Sequence, residues 1–345
     1  MQDVRRDGSS LITPVAIASY NIPSHAEAAP GELETGSLEM TLILAAAERQ
    51  FMSGTAEATV IDQLIRRLQA LRKKLGPKVW HTLTEMARVH PVSGYFLQDP
   101  FTRHSFEKPR GYSGDAQLLD YIYGHPSIES EVADATPLGR ALYAYTSNSP
   151  SPVAVRERRD LLAREVDRIA LARPGEAEIL TIAAGHLREA AASTAVREGK
   201  VKRWVALDQD PLSIGSITRD MAGTAVDAID GSVRGILKNA YTLGDFDLVY
   251  AAGLYDYLPR AVAIKLTRKC MSMLKPGGTF LFANFAQEIQ DIGYMETFMN
   301  WMLILRSEED MWDIANASVD RNKVDVDVFY GENRHIVYAR LTKRD

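Results

Sequence analysis

The sequence predicts an α/β fold: a mostly parallel sheet that ends in a C-terminal antiparallel hairpin, preceded by an N-terminal helical cap. Three observations predict it. Apolar residues recur at three- and four-residue steps between Ser37 and Arg88. After Pro174-Gly175, short apolar runs alternate with helical stretches, the rhythm of a parallel sheet covered on both faces. Two strand-like runs then close the chain across a short polar turn.

Residues 1–36 mix Ser, Pro, Gly, Ala and Glu without period, and Pro14, Pro23 and Pro30 interrupt any regular element, so a loose leader is expected. The cap, residues 37–173, begins with a helical pattern of about three helices carrying Leu42, Phe51, Val60, Leu64, Leu68 and Leu71 inward. Between Pro91 and His125 aromatics, glycines and charges crowd together, which reads as a long functional loop. A helix over Val155 to Ala170 with an Arg-rich outer face follows.

Residues 174–345 form the expected sheet domain. Strands are expected at Glu178 to Ala184, Arg203 to Asp208, Ala225 to Ile229, Phe246 to Ala251 and Gly278 to Ala283. Helices are expected at Leu187 to Glu198, Pro211 to Met221, Ala261 to Leu274, Met295 to Leu305 and Glu308 to Ala317. The closing hairpin pairs Val324 to Tyr330 with Ile336 to Leu341.

Composition narrows the function. Forty Lys and Arg against forty-five Asp and Glu leave a net charge of -5, without the basic excess that phosphate neutralisation demands, so no nucleic-acid partner is expected. The single cysteine, Cys270, forbids an intramolecular disulfide and a Cys-rich metal site. It reads as a small buried apolar residue. No paired spacing among seven histidines suggests a metal. Arg5-Arg6 before Leu11 to Ala18 imitates an export signal, but Asp7 and Pro14 interrupt it and no segment approaches the ~18 apolar residues of a membrane span. A cytoplasmic protein is expected.

The chemistry gathers where the strands end. The first strand runs through Ala184-Gly185-His186 into a helix, a turn at which backbone N–H groups can meet a carboxylate. The repeated glycines of the dinucleotide fingerprint are missing. Asp208 stands twenty-three residues after Gly185, at the tip of the second strand and followed by Gln209, where a carboxylate accepts hydrogen bonds from ribose hydroxyls. The competing role, capping the helix at Pro211, suits Asp210 equally. Asp230-Gly231-Ser232 follows the third strand as a polar group for an adenine edge, and Ala252, Gly253 and Tyr255 follow the fourth. Leu274-Lys275-Pro276-Gly277-Gly278 ends a helix and turns into the fifth strand.

In this order and spacing, residues 174–345 resemble a Rossmann-like class I methyltransferase dependent on S-adenosylmethionine (AdoMet). The segments Lys108 to Gly124, Gly231 to Arg234, Gly253 to Leu258 and Asn300 to Arg306 further resemble a bacterial family labelled for biosynthesis of 3-hydroxypalmitic acid methyl ester. That resemblance spans about residues 40 to 345. The same family resembles the azetidine-2-carboxylate synthases, which cyclise AdoMet's own side chain and release methylthioadenosine. Leu305 departs from it, since members often carry tyrosine there.

The resemblance implies AdoMet as cofactor and three readings: methyl transfer to the carboxylate or hydroxyl of a small or lipid-like acceptor in secondary metabolism or signalling, cyclisation of AdoMet with no other partner, or a non-catalytic AdoMet sensor. Transfer from a sulfonium is an in-line displacement governed by positioning and desolvation, so no triad is required. Arg110 is the candidate anchor for a carboxylate acceptor, and His104 or His186 the candidate base for an alcohol or amine. Tyr112, Tyr121 and Tyr123 offer π faces to the sulfonium. Asn148, Asn284 and Tyr112 are candidates to hold the amino group. Oligomeric state is not legible.

Overall fold

The computed structural model describes residues 31–344, and the leader's first thirty residues lie outside them. The described chain divides into two compact units, one of residues 31–156 with 288–302, the other of residues 157–287 with 303–344. The division after Arg156 falls within a helix, and residues 288–302 group with the helical unit.

The helical unit comprises α1 (Glu32–Met52), α2 (Glu57–Lys74), α3 (Pro77–Val89), α4 (Ser93–Phe96), α5 (Pro100–Glu107), α6 (Ala116–Tyr123), α7 (Glu129–Ala133) and α8 (Pro137–Thr146), with the start of α9 (Pro150–Ala172). Residues 32–36, expected in the leader, instead open α1. Gly36 packs there against Leu75 and Leu83, close enough that a Cβ would meet the Leu83 side chain at 3.0 Å.

The aromatic stretch is mostly helix, not loop. Its prolines and acids start helices rather than breaking them: Asp99 accepts the Phe101 N–H at 3.0 Å with Pro100 in the first turn, and Asp115 accepts the Leu118 N–H at 2.8 Å. Phe96, Phe101 and Tyr121 are buried with them.

The sheet unit continues with β1 (Ala177–Ile182), α10 (Arg188–Ala192), α11 (Thr194–Arg197), β2 (Val201–Asp208), α12 (Pro211–Asp220), β3 (Val226–Asp230), α13 (Val233–Leu237), β4 (Phe246–Ala251), α14 (Arg260–Ser272) and β5 (Leu274–Phe285). After α15 (Ile292–Thr297), which belongs to the helical unit, come α16 (Glu308–Ser318), β6 (Val324–Tyr330) and β7 (Ile336–Lys343). The strand order is β3-β2-β1-β4-β5-β7-β6, with β7 antiparallel to both β5 and β6. This is the Rossmann-like sheet with an antiparallel finish expected from the sequence. Its order reverses between β1 and β4, where open α/β sheets leave a crevice at the C-terminal edge.

Three expected elements differ. The helix expected at Leu187 to Glu198 is two short ones, because Ser193 caps the second through Val196 N–H while its hydroxyl donates to Asp167 at 2.6 Å. The expected helix Met295 to Leu305 ends at Thr297; Asn300 takes φ +49°, and Arg306 then bridges to Ala286. Leu274 to Gly278 lies within β5 as an irregularity. Leu274 pairs with Phe246, the register shifts, and pairing resumes at Thr279 opposite Leu248. A Cβ on Gly278 would come 2.9 Å from the carbonyl oxygens of Lys275 and Phe246, so only glycine fits.

Two buried carboxylates organise the helical unit. Glu296 accepts from Arg72 Nε at 2.6 Å and from Trp80 Nε1 at 2.7 Å. Asp99 accepts from the Thr102 and Thr146 hydroxyls at 2.7 and 2.8 Å, and burial pushes its carboxyl up to about 6 against the opposing pull of those bonds. An unfolded aspartate titrates near 4, so between about 4 and 6 the folded state binds the extra proton. Stability from this group therefore rises as pH falls through that window. Urea midpoints at pH 7 and pH 5 check the sign: wild type gains relative to Asp99→Asn at pH 5, and a constant difference contradicts it.

Candidate functional site

The turn after β1 holds three residues in the left-handed region within five positions: Ala183 at φ +56°, Gly185 at +56° and Leu187 at +51°. Glycine adopts this conformation freely, but alanine and leucine are strained in it, and such strain concentrates at sites of function. The sequence signals only the glycine. Ala184 N–H bonds the Leu207 carbonyl at 3.1 Å, which ties the turn to the end of β2.

Asp208 closes the arrangement. It is buried at the end of β2, and its Oδ2 accepts the Gly185 N–H at 2.7 Å while Oδ1 accepts the Asp210 N–H at 2.8 Å. Its own carbonyl accepts the Gly231 N–H at 2.8 Å. One residue thus joins the ends of β1, β2 and β3. Burial raises its carboxyl above the ordinary carboxylate range, while the N–H donors of Asp210 and Gly185 pull it back. The helix-capping role falls to Asp210, which accepts from Leu212 N–H at 3.1 Å and from the Ser213 hydroxyl at 2.8 Å.

The neighbouring expected residues take distinct places. Gln209 is exposed beside Asp208. Gly231 is enclosed: a Cβ there would lie 2.9 Å from Leu207 and 3.1 Å from Tyr241. The Ser232 hydroxyl caps α13 through Gly235 N–H at 3.1 Å, and its own N–H donates to Tyr241 Oη at 3.0 Å. His186 is buried in the β1 turn with its Nδ1 3.3 Å from Arg188 Nη2.

Past β4, Ala252 and Gly253 directly follow the strand's end, whereas Tyr255 turns into the core. Its ring stacks on Phe282 with centroids 4.2 Å apart, its hydroxyl bonds Thr267 at 2.8 Å, and it is fully buried in the core, which holds its hydroxyl protonated. Asn284 is also a core residue: its amide donates to the Phe285 and Ile304 carbonyls at 2.9 and 2.8 Å, and its oxygen accepts from buried Arg306. Neither is placed to touch a ligand. The sequence pattern set Tyr255 at the edge because it follows a strand-like run and offered Asn284 as a polar group without a fixed place, whereas Tyr255 opens a 3₁₀ turn that folds back and β5 extends to Phe285.

The candidates in the helical unit are scattered. The Tyr121 ring is buried and its hydroxyl donates to Glu131; burial, then that carboxylate, push the phenol up, so a role as an open π face or acid is not supported. Asn148 is exposed at the end of α8, where its amide donates to Ala144 O at 2.9 Å and its oxygen accepts from Arg156 Nη2 at 3.1 Å. Tyr112 and Arg110 lie half-buried on the Lys108 to Asp115 segment. His104 is buried with Nε2 3.0 Å from both oxygens of Asp115, an oriented pair whose second member the sequence did not reveal. A recess in this unit is lined instead by Phe101, Thr146, Tyr294, Met299 and Trp301. It gathers none of the residues singled out for catalysis.

Two further groups escaped the sequence. Glu189, one turn beyond Gly185, is buried and accepts from Tyr250 Oη at 2.5 Å, and burial raises its carboxyl. Arg158, counted on an outer face, is buried instead and donates to the Ala252 carbonyl at 2.8 Å. Apolar spacing alone does not show a polar residue turned inward. Among the described residues, no three His, Cys, Asp or Glu side chains come together as a metal site, and no helix is long and apolar enough to cross a membrane.

The sheet order, the strained first turn and the carboxylate at its side define a Rossmann-like α/β sheet whose order reverses between β1 and β4. Comparison adds fold but no family. No family model and no curated protein matches the chain. Among solved structures, a possible exported protein from Bordetella parapertussis is 17% identical over 89% of this chain and 97% of its own, with a TM-score of 0.55, a likeness of fold alone. The N-methyltransferase NodS from Bradyrhizobium japonicum, in complex with S-adenosyl-L-homocysteine, is 18% identical over 66% of this chain and 100% of its own, with a TM-score of 0.40. A SAM-dependent methyltransferase from Leishmania major is 16% identical over 66% and 82%, with a TM-score of 0.40.

Proposed function

We propose that the sheet unit binds AdoMet at the edge of β1, β2, β3 and β4, and that the chain is an AdoMet-dependent methyltransferase for a small acidic or lipid-like acceptor. One observation carries this reading: the buried Asp208 carboxylate, held by the backbone of the strained β1 turn. The site fits the nucleoside. A carboxylate offers about four lone-pair positions, and the backbone N–H bonds from Gly185, Asp210 and Gln209 leave capacity for the ribose. Gly253 adds no side chain just past the end of β4, where a Cβ would lie 3.8 Å from Arg158 Nη2.

Bound there, AdoMet supplies a methyl group on a sulfonium whose thioether leaves without a proton. The protein's work is then to hold and to exclude water. Asp208 fixes the ribose, and the β1 turn fixes the nucleoside against the sheet. A carboxylate acceptor needs no base, while a hydroxyl or amine acceptor requires one. The 3-hydroxypalmitic acid methyl ester family is the particular relationship proposed, supported by the motifs from Lys108 to Arg306.

Incubation of the pure protein with AdoMet tests the reaction. S-Adenosylhomocysteine that forms only when a carboxylic acid or alcohol acceptor is added supports methyl transfer. Methylthioadenosine from AdoMet alone overturns it in favour of cyclisation, and tight binding with no product in any acceptor mixture overturns it in favour of a sensor.

A further inference from the structure

Arg158 has the environment of a ligand-binding cation. It sits on the part of α9 that belongs to the sheet unit, and it is only 5% exposed. A guanidinium carries five N–H donors. Among the described residues it makes one hydrogen bond, from Nη1 to the carbonyl of Ala252 at 2.8 Å. That bond fixes the group just past the C-terminal end of β4, the strand beside β1 at the order reversal.

The next residue is Gly253, and a Cβ built on it would lie 3.8 Å from Arg158 Nη2. A side chain at that position would lie in contact with the guanidinium, and glycine supplies none. Two buried acids, Glu189 and Asp256, feel the charge of Arg158, but neither makes a salt bridge with it. Each has its own partner: Glu189 takes the Tyr250 hydroxyl and Asp256 takes the Phe285 N–H at 2.6 Å. Burial also pushes both carboxyls up, Asp256 to about 6.

The alternative anchor for an anion, the helix after the β1 turn, is weak. α10 has five residues and no side-chain cap, so it presents little aligned dipole. We infer that Arg158 is the anchor for a carboxylate in the β1/β4 crevice, and that this carboxylate is the one on the amino-acid arm of the cofactor. The inference rests on the AdoMet reading and deepens it by dividing the ligand: Asp208 holds the nucleoside end and Arg158 the amino-acid end. It also replaces the sequence-based expectation that the Gly185 turn would hold the carboxylate.

Calorimetric titration with two probes separates the roles. One is S-adenosylhomocysteine, and the other is its decarboxylated analogue, which keeps the nucleoside, thioether and ammonium but lacks the carboxylate. Charge-assisted hydrogen bonds to a buried carboxylate correspond to roughly 10- to 100-fold in affinity. Wild type is expected to prefer S-adenosylhomocysteine by about that factor, whereas Arg158→Met binds the two probes within about threefold of each other. Arg158→Gln, which retains a donor for Ala252, gives the same equalisation if the Met variant fails to fold, and Arg158→Lys restores part of the preference.

Equal weakening of both probes in folded Arg158→Gln assigns the residue a merely structural role and overturns the inference. So does a wild-type protein that binds both equally well, and in that case the AdoMet reading survives. Wild type that binds neither probe overturns the inference together with the reading beneath it.

Discussion

Replacing Asp208 with alanine is expected to weaken binding of S-adenosylhomocysteine by roughly 100-fold or more, on the scale of a lost charge-assisted hydrogen bond at ~1.5–3 kcal/mol with two hydroxyls involved. The substitution acts twice. It removes the acceptor for the ribose, and it releases the Gly185 and Asp210 N–H groups that the carboxylate holds at 2.7 and 2.8 Å. The strained turn from Ala183 to Leu187 then loses one of its ties to β2 and becomes less preorganised. Asp208→Asn retains one acceptor oxygen and should fall between wild type and alanine. Calorimetric affinity unchanged in Asp208→Ala would falsify this placement of the cofactor.

Arg306→Met is expected to produce the largest loss of stability. The guanidinium is buried and donates to the carbonyls of Tyr255, at 2.6 Å, and Leu258, and to the side-chain oxygen of Asn284. It thereby joins the turn after β4 to the end of β5. Its removal leaves three acceptors without that donor in a region closed to water, at about 1–3 kcal/mol for each group left unmet. Partial relaxation brings the expected sum to about 3–5 kcal/mol, as for a broken buried ion pair. With urea slopes of roughly 1–3 kcal/mol per molar, the unfolding midpoint drops by about 2 M. Because Tyr255–Tyr257 leads directly from Gly253, the variant should also weaken cofactor binding while it remains folded. A midpoint that moves by only a few tenths of a molar contradicts this account of Arg306.

Much of the sheet was legible because its signals are local. β-Branched runs, the Ala184-Gly185 turn and the spacing to Asp208 depend on neighbours in sequence, and the parallel pairing of β1 to β5 follows from the alternation of strand and helix. Asp208 was legible for the same reason: a strand that ends in an acid near a glycine turn states its own geometry. The burial of Arg158 was not. On a helix whose other arginines are half-buried or exposed, nothing in the residue spacing marks the one that meets Ala252, ninety-four positions away.

The errors share a cause. Tyr255, Asn284 and Tyr121 were singled out for polar atoms on aromatic or amide side chains, yet long-range partners satisfy those atoms: Thr267, Arg306 and Glu131. The same holds for the stretch from Pro91 to His125. Its prolines and acids looked like loop chemistry until Asp99 and Asp115 proved to begin helices. A polar residue's function depends on what it faces, and the partner is commonly far away in the chain.

Amide hydrogen exchange with and without S-adenosylhomocysteine tests the central claim most directly. The account predicts slowed exchange at residues 183–187, 208–210, 231–232 and 252–253, which belong to four strand ends and share one edge of the sheet. Protection confined to the helical unit, or no protection at saturating ligand, would contradict it.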